Sequence, residues 1–315
     1  MEAKPFIKWV GGKGQLLCQL DSLLPDDFSA RAGTTYVEPF VGGGAMLFHV
    51  LSHYPNVKRA VINDINPDLT ACYRAVRNTP RQLIGQLADV QNEYEKLATE
   101  EERKAMFLRQ RDRFNTKSLS ELDNATLFIF LNKTCFNGLY RVNKKGIYNV
   151  PFGKAVNPAI CAPRTIEADS LLLQRVEILT GDFETTLDKT PDGSFFYIDP
   201  PYRPLNSTSN FNDYAKETFD DAAQIRLKEF CEQLTERGNN LMLSNSDGKG
   251  NGMDDAFFDD LYSPPIFNIS RVRASRAVNS DATKRGKISE IVIRNYTTTP
   301  TSLFGYASST YAPAI

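Results

Sequence analysis

An apolar run, FFYI at residues 195–198, ends on Asp199, and Pro200, Pro201 and Tyr202 follow at once. A proline has no N–H, so it breaks the ladder of a strand, and successive prolines hold the backbone rigid. Asp199 thus offers a carboxylate, Pro200 a fixed carbonyl and Tyr202 an aromatic face. If the run is a strand of an open α/β sheet, the three groups stand at its carboxyl end, where such sheets place their ligands. The set suits a planar group carrying an –NH2. The acid and the carbonyl accept its two N–H bonds, and the tyrosine stacks on the ring. The plain alternative is a strand-terminating turn, because Pro-Pro is a common loop signal.

A second chemical candidate is the stretch FVGGG at residues 40–44, between a strand pattern and a helix pattern. Glycines there let the backbone approach a ligand closely, with the helix N-terminus facing it. Asp64 closes the next strand, 22 residues after Gly42, where an acid accepts hydrogen bonds from ribose hydroxyls. Together these features indicate an adenosine-containing cofactor without choosing one. The triplet is not G-x-G-x-x-G, which disfavours a nicotinamide or flavin dinucleotide. Residues 4–13, KPFIKWVGGK, add another glycine turn. It carries the chain's one tryptophan, Trp9, flanked by Lys8 and Lys13.

Positioning these residues requires strands and helices in alternation. The leucines of QLLCQLDSLL (15–24) fall at helical spacing. TTYVEPFVGGGAMLFHVLSHY reads as strand, glycine turn, helix; KRAVINDIN as a strand ending at Asp64; PDLTACYRAVRN as a helix opening on Pro67. That order predicts a parallel α/β sheet with right-handed crossovers. From residue 80 to 131 the chain is helical, charged and poor in strand signals. Strands resume at VEILTGDF and SFFYID, a long helix spans about 220–237, and NNLMLSNS, IFNIS and ISEIVIRNY follow. One α/β domain, residues 1–75 and 165–296, is therefore expected, with a helical insertion at 76–164. The tail 297–315, rich in Thr, Ser, Ala and Pro, is expected to be disordered.

The 315 residues are 41% apolar and 24% charged, enough for a sizeable core in a soluble protein. No apolar run approaches the roughly 20 residues of a membrane span. The first residues lack the apolar stretch of a signal peptide. The five scattered cysteines form no C-x-x-C pair and suit a reducing cytoplasm. A net charge of −1 hides local bias: residues 133–164 contain no acid, and residues 271–287 hold six basic residues against Asp281 alone. Two basic segments on a neutral chain indicate a localised face for a polyanion.

The ordered set of motifs resembles the Dam-type DNA adenine methyltransferases of the alpha group. The matching pieces are KWVGGK (8–13), EPFVGGG (38–44), NDIN (63–66), FNGLYRVN (136–143), NVPFG (149–153), GDF (181–183), DPPY (199–202), LSNS (243–246) and RGKISE (285–290). They follow the family's order over about residues 4–296. The resemblance implies a Rossmann-like fold, S-adenosyl-L-methionine as methyl donor, double-stranded DNA as substrate and no metal. It implies that Trp9, Lys13, Asp64 and Asp199 contact the cofactor and that Gly42, Gly43 and Gly44 cradle its methionine part. Glu38, Phe40, Asp182 and Phe183 would wall that pocket. Asp199, Pro200 and Tyr202 would form the catalytic pocket for the exocyclic amine of adenine. An adenine must leave the duplex to reach such a pocket. Residues 136–153 would then be the target-reading hairpin: Arg141 on a guanine edge, Leu139 on a thymine methyl, and Phe136 and Asn137 in the gap left by the base. Lys8 and Pro151 would complete the reading surface, and Lys144, Lys145 and the segment 271–287 would hold phosphates. Family members with this hairpin typically read GATC. Ala155 stands where some members carry an aromatic residue, a departure that bears on flanking preference. The enzyme is expected to be a cytoplasmic, nucleoid-associated monomer.

Other chemistries fit less well. His49 and His53 are spaced as zinc ligands can be, but no glutamate follows His49 and no third ligand is evident. The same scarcity of histidine disfavours a serine or cysteine nucleophile. Transfer to the cytosine N4 amine would use the same acid, carbonyl and stack. Glutamine methylation is associated with N-P-P-Y in place of D-P-P-Y. A non-catalytic DNA-binding protein has no use for a complete D-P-P-Y.

Overall fold

Strand pairing follows the apolar runs. The structure, a computed structural model, describes residues 3–203, 219–275 and 287–299. In chain order it contains α1 (Leu17–Asp21), β1 (Thr35–Glu38), α2 (Ala45–His53), β2 (Arg59–Asp64), α3 (Pro67–Asn78), α4 (Pro80–Glu95), α5 (Glu100–Phe114), α6 (Glu121–Thr134) and α7 (Pro163–Leu173). β3 (Val176–Thr180), β4 (Phe195–Ile198), α8 (Asp221–Glu236), β5 (Asn240–Ser246), α9 (Phe257–Leu261), β6 (Asn268–Ser275) and β7 (Lys287–Arg294) follow. Among the described residues the strands form one sheet in the order β3-β2-β1-β4-β5-β7-β6. β1 to β5 are parallel, while β7 runs antiparallel to both β5 and β6. The chain steps outward from β1 to β3, then returns to place β4 on the other side of β1. The carboxyl ends of β1 and β4 therefore flank the switch point at which open α/β sheets bind ligands.

Side chains alternate across the strands and divide the core in two. Tyr36, Ala60, Ile62, Phe195 and Tyr197 face the layer holding α2 to α7. Val37, Val61, Phe196, Ile198, Leu241 and Leu243 face Leu227, Phe230 and Leu234 of α8. The strand-poor stretch shares the first of these cores: Leu83, Leu87, Phe107, Phe130 and Val150 are buried in one cluster with Leu47 and Tyr73. Local signals start several helices. Asn66 caps α3 by accepting from the N–H groups of Asp68 and Leu69, with Pro67 in the first turn. Thr99 and Glu102 close a capping box on α5.

The helix expected over 15–24 is shorter. A 3₁₀ turn at Lys13–Gln15 precedes the five residues of α1, and Pro25 follows soon after. No described helix is long and apolar enough to cross a membrane. The expected tail lies outside the described residues from 300 onward, as do residues 276–286 of the second basic segment.

Candidate active site

Asp199 follows β4 directly, and Lys13 meets it from the turn before α1. Lys13 Nζ lies 3.1 Å from Asp199 Oδ1 and 3.4 Å from Glu290 Oε2, although the lysine is only 5% exposed. It donates to the Tyr202 hydroxyl and sits 4.2 Å from the centroid of that ring. Tyr202 in turn donates to Glu290 Oε2 at 2.7 Å. The loop is pinned from beneath. Gln224 of α8, fully buried, donates to the Pro201 carbonyl at 3.2 Å, and Asn245 of β5 donates to Gln224 Oε1. Asn245 Oδ1 accepts the Arg203 N–H at 3.3 Å, and Ser246 Oγ donates to the Arg203 carbonyl at 2.8 Å. No donor among the described residues reaches the Pro200 carbonyl. The prolines thus leave one carbonyl open while the neighbouring carbonyl is tied down.

Three carboxyl groups crowd the carboxyl edge of β1, β2 and β4, and burial raises all of them. Glu38 is pushed up to about 8 by burial and by Asp199, against the opposing hydrogen bond from Tyr36. Asp64 rises to about 6 through burial, although the N–H groups of Asn66 and Gly42 oppose the shift. Asp199 rises to about 6 through burial and the nearby Glu290, with Lys13 pulling the other way. Acids held above their ordinary range in one corner favour a cationic ligand, which would relieve the cost of their charge.

The glycine turn lies beside this corner. Its Gly42 N–H donates to Asp64 Oδ2 at 3.1 Å, which ties the turn to the end of β2. Trp9 explains part of its composition. A Cβ on Gly42 would come within 2.8 Å of the Trp9 ring, and one on Gly43 within 2.9 Å of the Trp9 side chain. Gly44 begins α2 at φ +71°, pressed against the hydroxyl of Tyr73. The close approach these glycines permit is therefore made first by the protein's own aromatic residues. Trp9 continues into a stack with Tyr140 and Phe128, at centroid distances of 6.1 and 6.4 Å. Phe40 packs against Phe183 at 5.3 Å, and Phe183 is buried. Asp182 stands apart from Asp199 in character: it is half-exposed and pairs with Arg226 at 2.6 Å.

The acid-free segment forms a loop clamped at its base. Isolated bridges join Cys135 to Phe152 and Val142 to Tyr148, with no continuous ladder. The Phe136 N–H donates to the Pro151 carbonyl and the Gly153 N–H to that of Thr134. A side chain on Gly153 would run into the Cys135 carbonyl. Buried Asn132 of α6 accepts from the Lys8 N–H and donates to the carbonyls of Lys8 and Gly138, joining this loop to the Trp9 turn. Phe136 is 51% exposed, and Asn137 holds φ +55° at the tip of a 3₁₀ turn. Leu139 and Pro151 lie on the same loop, Leu139 half-buried and Pro151 exposed. Arg141 Nε donates to Asn149 Oδ1 at 2.8 Å, which orients the guanidinium. Lys8, Lys144 and Lys145 are exposed. Burial, with the charges of Lys8 and Lys4, pushes Lys133 down to about 8.

Arg271 is paired with Asp247 at 3.1 Å and Asp259 at 2.8 Å, so acids of the fold already offset its charge. His49 bonds Asp21 at 2.7 Å and stacks on His53, a packing role for both. Asn245 and Glu290 lie in the LSNS and RGKISE motifs without an assigned role, and Gln224 and Asn132 were not foreseen. Gln224 sits one turn before Leu227 on the apolar face of α8, and a glutamine at such a position is the signal that could have revealed it.

A sheet of this order, with an acid-closed glycine turn after β1 and an acid–proline loop after β4, defines a Rossmann-like methyltransferase fold. The chain belongs to the D12 class N6 adenine-specific DNA methyltransferase family, whose model matches residues 9–278. It is 46% identical to the type II methyltransferase M.MjaIII of Methanocaldococcus jannaschii, over 94% of this chain and 100% of that one. It is 38% identical to the type II methyltransferase M1.LlaDCHI of Lactococcus lactis subsp. cremoris, over 93% and 95% of the two chains. The DNA adenine methylase of Vibrio cholerae is 31% identical over 92% of this chain and 95% of its own. The protein is thus an adenine-specific DNA methyltransferase.

Proposed function

We propose that the enzyme uses S-adenosyl-L-methionine to methylate the N6 amine of an adenine flipped out of duplex DNA, within GATC. The observation that carries this is the half-buried corner in which Asp199, the open Pro200 carbonyl and the Tyr202 ring converge beside the glycine turn. The corner also fits the donor. Asp64 and Asp199 supply acceptors for its hydroxyl and ammonium groups, Trp9 and Phe40 supply apolar walls, and the acid-rich edge suits a cation. When bound, that cofactor supplies an electrophilic methyl group on a sulfonium. Lys13 and the turn at Gly42, Gly43 and Gly44 would hold its polar end, with Glu38, Asp182 and Phe183 behind.

The chain's own residues would do the rest by position and charge. The amine of adenine is conjugated with the ring and is a weak nucleophile. Hydrogen bonds from its two protons to Asp199 and to the Pro200 carbonyl localise the lone pair on nitrogen. Tyr202 stacks on the base. Lys13 holds the Asp199 contact and the face of Tyr202 that the amine and base would take, so base entry displaces its ammonium. As the N–C bond forms and the C–S bond breaks, one amine proton is lost, first to Asp199 and then to solvent.

Extruding the base costs a few kcal/mol of unstacking, offset by contacts in the pocket. Phe136 and Asn137, exposed on the 3₁₀ turn beside the loop's clamp, would fill the gap. Arg141, Leu139, Pro151 and Lys8 would meet base edges, and Lys144 and Lys145 the phosphates. Residues 76–164 would serve as the recognition unit of a monomer that acts on one base at a time in the cytoplasm.

The test is direct. The enzyme is incubated with S-adenosylmethionine and duplex DNA, and the product is hydrolysed to nucleosides, weighed and mapped. N6-methyladenine at GATC is expected. Methylcytosine, or methyladenine without regard to GATC, would overturn the proposal.

A further inference from the structure

Glu290 belongs to none of the groups assigned above to cofactor or base. It lies on β7, directly opposite Ser246 of β5. That one rung anchors two successive residues of the acid–proline loop. Ser246 Oγ holds the Arg203 carbonyl at 2.8 Å, and Glu290 Oε2 accepts the Tyr202 hydroxyl at 2.7 Å. The same oxygen lies 3.4 Å from Lys13 Nζ, opposite Asp199 Oδ1 at 3.1 Å. Glu290 is 16% exposed, so its charge is poorly screened and needs these partners.

We infer that Glu290 is a positioning residue of the methyl-transfer reaction, fixing the Tyr202 ring through its hydroxyl and giving Lys13 a second anion when the base displaces it from Asp199. A tyrosine ring pivots about its Cα–Cβ bond. An acceptor on its far end removes that freedom, so the ring presents one face to the pocket. Glu290 also divides the lysine's charge between two acids. Around Asp199 stand Lys13 from the first turn, Tyr202 of its own loop, Glu290 from β7, Glu38 and Tyr36 from β1 and Tyr197 from β4. Burial does most to raise the proton affinity of Asp199, and the negative charge of Glu290 adds to it. Neutralising Glu290 should therefore let Asp199 ionise at lower pH.

This role rests on Asp199 being the acceptor proposed above, so the experiment separates the two. Full-length wild type, Glu290→Gln, Glu290→Ala and Asp199→Asn are compared by methyl-transfer rate against pH on a GATC duplex, with thermal melting as a check on folding. Glu290→Ala should lower kcat by about tenfold or more while KM for DNA stays within about twofold. Glu290→Gln keeps an acceptor for Tyr202. It should restore most of that loss and move the acid limb of kcat/KM to lower pH. A Glu290→Gln profile that superimposes on wild type, with full kcat in Glu290→Ala, would overturn the role of Glu290. With Asp199→Asn inactive in the same series, the catalytic assignment would survive. Full activity in Asp199→Asn would remove both.

Discussion

The acid–proline corner and the reading loop are built on opposite principles. The corner is half-buried and over-determined. Asp199, Tyr202 and Arg203 are tied to Lys13, Glu290, Asn245 and Ser246, and the backbone between them to Gln224. The loop at 135–153 is bonded firmly at its base, through Asn132, Gly138 and Gly153, and exposes the side chains of Phe136 and Asn137 beside that clamp. Methyl transfer needs reacting groups held to fractions of an ångström in a poorly solvated site. Sequence reading needs side chains free to meet a groove, on a base that does not drift.

The sharpest way to break this division is Asp199→Ala. Removing the acceptor should lower kcat by at least about a thousandfold while DNA binding, measured by filter retention or anisotropy, persists. The pH profile tests the same group without mutation. Asp199 must be ionised to take the amine proton, and burial lifts it to about 6. On the acid side of that value kcat/KM should fall about tenfold per pH unit. A profile flat down to pH 5 would contradict this. Gly153→Ala attacks the clamp of the loop. Its methyl meets the Cys135 backbone, so stability should drop by about 1–3 kcal/mol in a denaturant melt, with DNA affinity falling more than cofactor affinity. Arg141→Ala should relax discrimination at one base pair by about 1–3 kcal/mol in competition between single-base variants. The smallest effect belongs to Lys145→Ala. It should weaken all duplexes alike and reduce the slope of log K against log salt by about 1.

The corner was more legible in the sequence than the groups that support it. Parallel strands buried on both faces read as apolar runs, so β1, β2 and β4 and the acids at their ends stood out. Asp199 and Asp64 stand at the same edge of the sheet because each ends or follows such a run. The glycines of residues 42–44 and Trp9 were visible, but the packing of Trp9 and Tyr73 against those glycines was not. Nothing in a linear chain pairs Glu290 with Tyr202 across 88 residues or Gln224 with the Pro201 carbonyl. Charge counting likewise did not show the partners of Arg271. A basic residue next to others looks free until Asp247 and Asp259 are brought to it by the fold.

The claim that chemistry and sequence choice occupy separate regions is tested most directly by one ratio. It is kcat/KM on GATC divided by kcat/KM on each single-base variant, measured side by side for Tyr202→Ala and Arg141→Ala. Tyr202→Ala should slow every duplex by a common factor and leave the ratios at wild-type values, whereas Arg141→Ala should collapse the ratio at one base pair. Ratios altered by Tyr202→Ala and untouched by Arg141→Ala would contradict the account.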